Sequence, residues 1–287
     1  MAIYKFLRGV IMKFNRKLWL CFLVAILMGG CQKKQDTLTQ TQTDANESDN
    51  SETYEELGRE GQLSEDIINN EPKEEIKVEI TLRLDPSFYD DRVVYVNQGI
   101  TELEFLKIHL IAIEGLGQLE SLETVFFNKV VELSNLTFLA ETHHLKRLFI
   151  DYVDESVNWN FIGQLPDLEV LHISDYSQPT ISLDLKRNER LEYVGFTFGC
   201  LEIFPTLLNV PNSLKYVNLQ SNEIASLPSD FEMPSHTTVL MGMNPFNKDE
   251  TTPNNVTVEF ASKVLEQKYL EPSNLPYING LDFPRKR

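Results

Sequence analysis

The sequence predicts an α/β-type solenoid, in which stacked copies of one short unit each give a strand to a common parallel sheet. The first observation is a period of 23 residues that links Leu122, Leu145, Leu168, Leu191 and Leu214. The second is that large apolar residues stand three and five positions after each of these leucines. Because one copy cannot bury its apolar side alone, such a period indicates copies that share a core.

The inward positions of the predicted strands follow directly from this period. The residues three positions on are Val125, Leu148, Leu171, Val194 and Val217, and two positions further stand Phe127, Ile150, Ile173, Phe196 and Leu219. With a first and a last copy added, strands are expected near 106–108, 125–127, 148–150, 171–173, 194–196, 217–219 and 239–241. Two inward residues per strand would line a continuous core.

The spacing Leu-x-x-Leu-x-Leu, continued in LKYVNLQSNEIASL (214–227), resembles the leucine-rich-repeat family. The resemblance covers about residues 93–246, with an atypical first copy at 100–119, and implies a horseshoe whose short-strand parallel sheet lies on the concave face. The family's asparagine position holds Asn222 and Asn244, but earlier copies carry Ile111, Val130, Val153, Tyr176 and Gly199. Backbone groups that an asparagine ladder would satisfy therefore need other partners in those copies.

Both ends of the repeats, placed at 100–246, are expected to be covered. Residues 76–84 (IKVEITLRL) alternate apolar and polar side chains, and with 93–96 they predict an N-terminal β cap over 76–99. Residues 256–270 follow Pro253-Asn254-Asn255 and precede Pro272, which predicts a helix. This helix would form a C-terminal cap within residues 247–287.

The first 30 residues have the layout of a secretory signal peptide, with Met1 or Met12 as the start. Five basic residues and no acidic ones precede the apolar run Leu18–Met28, whose eleven residues would reach about 17 Å as a helix. The ending Leu27-Met28-Gly29-Gly30-Cys31 resembles the lipobox of bacterial lipoproteins. That resemblance implies acylation of Cys31, palmitate included, and a lipid anchor in a membrane of the cell envelope, with the outer membrane or cell surface favoured. The alternative is a plain signal peptide with an incidental cysteine.

Residues 31–75 are expected to form the lipidated cysteine and a disordered tether. Residues 32–75 hold thirteen acidic and four basic side chains and little apolar material, so ordering them would not be offset by burial. The body after residue 75 has a net charge of −13. Because an acidic surface repels phosphate backbones, nucleic acid is not an expected partner.

The outward positions of the predicted strands are the candidate binding surface. Aromatic residues recur there beside an arginine, a histidine and an aspartate, a mixture that protein interfaces enrich. The candidate residues are Phe126, Arg147, Phe149, Asp151, Tyr152, His172, Tyr193, Phe198 and Tyr216. The alternative is that these aromatic residues only cover one another along the sheet.

These patterns predict a binding protein that is not an enzyme and carries no cofactor or metal. The expected partner is a protein or peptide ligand, bound by a monomer at the cell surface as an adhesion or host-interaction module. Two alternatives remain open: a periplasmic envelope scaffold, and a carbohydrate-binding protein that stacks sugars on the aromatic surface. The sequence contains no pattern typical of a nucleophile elbow, a paired-carboxylate site or a metalloprotease helix.

Overall fold

A computed structural model describes residues 76–131, 133, 135–153, 157–270, 275–279, 282–283 and 285. These residues belong to one compact unit that begins at Glu75. The predicted signal peptide, Cys31 and the acidic tether lie outside the described residues.

The described residues form strands, short 3₁₀ turns and one α-helix. The strands are β1 Lys77–Leu84, β2 Arg92–Asn97, β3 Glu102–Leu106, β4 Leu110–Glu114, β5 Thr124–Asn128, β6 Arg147–Val153, β7 Val170–Tyr176, β8 Ser182–Asp184, β9 Tyr193–Thr197, β10 Thr206–Leu208, β11 Tyr216–Asn218, β12 Thr238–Leu240, β13 Val256–Thr257 and β14 Tyr277–Asn279. The 3₁₀ turns are Leu116–Gln118, Thr137–Glu141 and Trp159–Gln164, and helix α1 is Lys263–Tyr269.

A nine-stranded parallel sheet dominates this part of the chain and confirms the predicted parallel pairing. Its order is β13-β12-β11-β9-β7-β6-β5-β3-β14, and every neighbouring pair is parallel. Residues 23 positions apart stand side by side, as Leu148 does with Leu171 and Leu171 with Val194. The inward residues from Val125 to Met241 are fully buried, so the apolar period corresponds to a shared core.

The turn before each strand repeats along the chain in the same way. The amide of Leu145 donates to the Thr142 carbonyl, and that of Leu168 donates to the Leu165 carbonyl one copy later. The next two amides of each copy then donate to a single carbonyl of the preceding copy, as Lys146 and Arg147 do to Glu123. These bonds satisfy backbone groups at the corner, where the sheet ladder has not yet begun.

The first copy is displaced from its predicted position. Strand β3 turns Leu103 and Phe105 inward, opposite Val125 and Phe127, so the prediction of a strand near 106–108 is wrong by three residues. An alternating strand could turn either 103 and 105 or 106 and 108 inward, because all four residues are apolar. Pairing with β5 selects 103 and 105. Ile108 is buried beyond the end of the strand instead.

The N-terminal residues form a separate antiparallel sheet of order β2-β1-β4. Strand β1 is half-buried as its alternation predicts, with Val78, Ile80, Leu82 and Leu84 in the same core cluster as the repeats. The prediction did not include β4, which pairs antiparallel with β1 and brings Glu114 within 2.7 Å of Arg83.

The C-terminal segment departs most from prediction. Val256–Thr257 forms strand β13 beside β12, and the helix begins only at Lys263. Val256 is fully buried, and the amides of Val239 and Met241 donate to backbone carbonyls on either side of it, so strand pairing wins over helix formation there. The last strand, β14, pairs with β3 at the opposite edge of the sheet. Helix α1 lies between β13 and β14 in sequence, and its Leu265 packs in one apolar cluster with Leu240 of β12.

The two asparagines at the family's position bind strand backbones. Asn222 Nδ2 donates to the carbonyls of Phe196 and Leu219, and Asn244 Nδ2 donates to those of Leu219 and Met241. Tyr176, two copies earlier, donates its hydroxyl to Asn222 Oδ1 at 2.6 Å. Gly199 lies between them, and its lack of a side chain leaves room for the Tyr176 ring.

Gly199→Ala is expected to lower the free energy of unfolding by about 1–3 kcal/mol, because the added Cβ would overlap the buried Tyr176 ring. Gly163→Ala is the control, since its Cβ would meet only the Asp184 carbonyl, at 3.4 Å. Urea denaturation of both variants measures the difference. An equal effect of the two substitutions would contradict the packing role of Gly199.

Candidate functional site

The candidate site is the outward face of the nine-stranded sheet, opposite the shared core. Its middle row runs through neighbouring strands as Phe126, Phe149, His172, Gly195, Asn218 and Leu240. We call residues 258–270 and 275–279, which include α1 and β14, the C-terminal strap.

The strap covers part of this face. Leu265 and Tyr269 of α1 are buried in a second apolar cluster with Phe149, Val170, Tyr193 and Leu240, which come from four different strands. Partly buried Phe126 and Tyr216 pack against the same cluster. The Tyr269 ring stacks on Tyr193, with the ring centroids 5.1 Å apart and an interplanar angle of 21°.

Two predicted binding residues are therefore inaccessible in this structure. Phe149 is 3% exposed and Tyr193 is fully buried, so the expectation that both rings are open to a partner does not hold while the strap is in place. The physical reason is that a segment distant in sequence, with apolar side chains one helical turn apart, takes the place of a ligand. The sequence predicts a helix over 256–270, with Phe260, Val264 and Leu265 on one side, as a C-terminal cap and not as a cover for this face.

Polar groups bind the strap at the edge of the apolar cluster. The Tyr269 hydroxyl donates to Glu192 Oε2 at 2.9 Å, and Lys268 Nζ lies 3.3 Å from the same oxygen. Hydrogen bonding from Lys215 foremost, and from Tyr269 and Lys268, holds the pKa of Glu192 below its ordinary value. Glu192 was not among the candidates, because only the fold places it beside the strap.

Arg147, a predicted contact residue, is also engaged within the chain. Its Nη2 donates to the Tyr269 carbonyl at 3.2 Å, and its guanidinium lies 5.2 Å from the centre of the Phe149 ring. Phe126 meets Phe149 edge to face at 5.8 Å. The bond from Arg147 joins the strap to β6, and the contact between the two phenylalanines joins β6 to β5.

A row of polar residues follows the apolar cluster along the strands. Asn128, Asp151, Ser174 and Thr197 stand side by side in register. Ser174 Oγ donates to Asp151 Oδ1 at 2.9 Å, while Thr197 Oγ1 lies 3.3 Å from His172 Nε2. Apart from Thr197, these side chains are partly exposed, so this row offers hydrogen-bonding groups to a ligand.

His172 connects the polar row to the apolar cluster. Its Nδ1 lies 3.4 Å from the Tyr193 hydroxyl, which accepts a hydrogen bond from Asn218 Nδ2 at 2.9 Å. A side chain at Gly195 would collide with His172 and Tyr193, so glycine is needed for this arrangement. Burial lowers the pKa of His172 to about 4, which favours the neutral imidazole.

In every copy, the residue two positions after the second inward residue takes a left-handed conformation. The residues concerned, all with φ between 53° and 76°, are Lys107, Lys129, Tyr152, Asp175, Phe198, Ser221 and Met243. A side chain other than glycine or asparagine costs about 1 kcal/mol or more there. We call this set the left-handed row.

Two predicted binding residues stay exposed in the left-handed row. Tyr152 is 44% exposed and Phe198 is 55% exposed, and neither belongs to the core clusters. Asp175 lies between them in the row, and burial and the charge of Asp151 raise its pKa. Tyr152 and Phe198 have a strained backbone, and no burial of their rings compensates for the strain. This combination suggests that the two rings contact a molecule other than this chain.

Comparisons with known proteins add no assignment. No protein-family model matches the chain, and no curated protein is significantly similar to it. Within the described ranges, no group of three or more histidine, cysteine or acidic side chains could hold a metal ion. No helix in that part of the chain combines the length and apolarity needed to cross a bilayer.

The lowered pKa of His172, a partly exposed residue, predicts a pH-dependent stability. Because its pKa falls from 6.5 to about 4 on folding, only the unfolded chain takes up this proton between those values. The free energy of unfolding should therefore fall as the pH decreases from 6.5 to 4. A His172→Gln variant should lose less stability than the wild type over this window, as measured by urea denaturation. An equal loss in both proteins would contradict the prediction.

Proposed function

We propose that this chain is a bacterial leucine-rich-repeat lipoprotein that binds a protein or peptide partner at the cell envelope. The solenoid architecture is supported by the 23-residue period and by parallel strands that pair copy to copy over one core. The antiparallel sheet at 77–114 contributes to that core, which supports a role as the N-terminal cap. Anchoring through Cys31 is supported by the lipobox-like residues 27–31.

The exposed aromatic residues of the left-handed row carry the assignment of the binding surface. Tyr152 and Phe198 stand two strands apart, about 10 Å at ordinary strand spacing, with Asp175 between them. Rings that keep about half their surface in water, at backbone positions that disfavour them, suit contact with another protein. We place the accessible site on this row and on the adjoining Asp151 and Ser174.

Protein recognition is favoured over the stacking of sugars. The carbohydrate-binding alternative depends on several open aromatic platforms along the sheet, and the strap covers Phe149 and Tyr193. The remaining exposed rings alternate with charged groups, an arrangement that fits the mixed chemistry of protein interfaces.

A photo-crosslinking amino acid placed at position 152 or 198 tests the binding surface on intact cells of the source organism. We expect one discrete adduct at both positions, because each ring would contact the same partner. Position 95 is the control, since Tyr95 is 66% exposed on β2, outside the nine-stranded sheet. Adducts that form equally at position 95, or at neither 152 nor 198, would reject the proposed surface.

Lipid anchoring has an independent test. Cys31→Ser should abolish incorporation of radiolabelled palmitate and move the protein out of the membrane fraction, because the acylated thiol is removed. Cys21→Ser is the matched control and should retain the label. Palmitate incorporation in the Cys31→Ser variant would show that the anchor is elsewhere.

A further inference from the structure

We propose that the sheet face beneath the C-terminal strap is itself a peptide-binding surface, and that the strap is its built-in competitor. The partner is a segment with the chemistry of the strap: a short helix with an aliphatic residue and a tyrosine one turn apart, followed by an extended stretch. This inference rests on the proposed function in assigning recognition to the sheet face, and it adds how access to that face is regulated.

The face beneath the strap has the composition of a recognition surface. Phe126, Phe149, Val170, Tyr193 and Tyr216 all point outward from the sheet, away from the core that stabilises the repeats. A sheet that served only as a scaffold would carry polar residues at such positions, because they face water when nothing covers them. These side chains instead need an apolar occupant.

The strap shows which occupant fits. Leu265 and Tyr269 enter the apolar cluster, the Tyr269 hydroxyl donates to Glu192, and Arg147 donates to a backbone carbonyl of the occupant. The last three residues of the strap, Tyr277–Asn279, pair with β3 as a parallel strand. The Glu104 amide also donates to the Pro276 carbonyl at 2.9 Å. Helix docking and strand addition are both common modes of peptide recognition.

The strap is attached in a way that permits release. Helix α1 has seven residues, fewer than the roughly 12–15 that an isolated helix needs. Only Leu265 and Tyr269 of α1 are buried among its described side chains, and β14 pairs over three residues. Three buried side chains, Leu265, Tyr269 and Leu275, and one short strand hold the described part of the strap. Within that part, Ile278 packs against the shared core of the repeats, which is otherwise built from residues outside the strap.

The chemistry of the contact also selects the partner. Glu192 accepts hydrogen bonds from Tyr269 and Lys268, and Lys215 lies on its other side. A partner with tyrosine and a preceding lysine satisfies this carboxylate as the strap does. A partner with phenylalanine in place of this tyrosine would not donate a hydrogen bond to Glu192. We therefore expect the tyrosine hydroxyl to increase affinity for partners that carry it.

A peptide supplied in trans tests the proposal without knowledge of the natural partner. The probe is a fluorescent peptide of residues 258–279, titrated into full-length protein in detergent and followed by anisotropy. We expect the Leu265→Ala/Tyr269→Ala protein, whose own strap is weakened, to bind the peptide at least about tenfold more tightly than the wild type, because a tethered competitor acts at high effective concentration. A Tyr95→Ser protein is the control and should bind as the wild type does.

Two further arms define the outcome. A Leu265→Ser/Tyr269→Ser peptide should not bind the weakened-strap protein, because it lacks the side chains that enter the apolar cluster. Adding Glu192→Gln to that protein should weaken binding of the original peptide several-fold, because the charged acceptor of the tyrosine hydroxyl is lost. Equal binding by wild type and weakened-strap protein, or no binding by either, overturns the proposal. Because no natural partner is used, this failure is distinguishable from the absence of adducts at positions 152 and 198.

Hydrogen exchange of the wild-type protein gives a measurement that does not depend on the variants folding. The amides of Glu266 and Leu270 donate to Ser262 and Glu266 carbonyls within the helix. We expect them to exchange through local opening, at least about a hundredfold faster than the ladder amides of β7, which open only with the whole sheet. Exchange of both sets at the same slow rate would show a strap that is never released, and would overturn the proposal.

Discussion

Each copy of the repeat buries a leucine and two further apolar residues that it cannot cover by itself. Leu148 and Ile150 are buried because Val125 and Phe127 stand beside them on one neighbouring strand, and Leu171 and Ile173 on the other. This dependence on the neighbour explains why the strands are parallel and in register: a shift by one residue would turn the apolar set outward. The first and last copies lack a neighbour on one side, so elements outside the repeats must cover their apolar residues.

At the N-terminal end, the antiparallel strands β1, β2 and β4 bring a half-buried sheet onto the shared core. At the other edge β13 continues the ladder, and the chain then returns over the outward face to pair with β3. Both edges of the parallel sheet are thus formed by elements outside the repeats. The return leaves the core almost untouched, but it decides which outward residues can meet a partner.

The outward face is consequently divided into two regions with different chemistry. Under the strap, the Tyr193 ring stacks on Tyr269, and Tyr193 and Phe149 are buried. Glu192 and Arg147 bind polar groups of the strap there. Beyond it, the polar row and the left-handed row remain open, with Tyr152 and Phe198 as their largest exposed side chains. His172 lies at the boundary, where burial keeps it neutral down to a pH of about 4.

The sequence by itself determined the parallel sheet and its core, because the period of the apolar residues is a local property that every copy repeats. It predicts which two residues of each strand point inward, from Val125 and Phe127 to Val217 and Leu219. It also proposes Tyr152 and Phe198 as surface residues. It could not place β3, since the apolar residues 103–108 fit two alternations, nor β13, whose strand exists only because β12 offers an unpaired edge. Burial of Phe149 and Tyr193 by Leu265 and Tyr269 joins residues that are roughly 70 to 120 positions apart in the chain, and no local pattern records such a contact. Tertiary structure alone decided which part of the predicted binding surface is open.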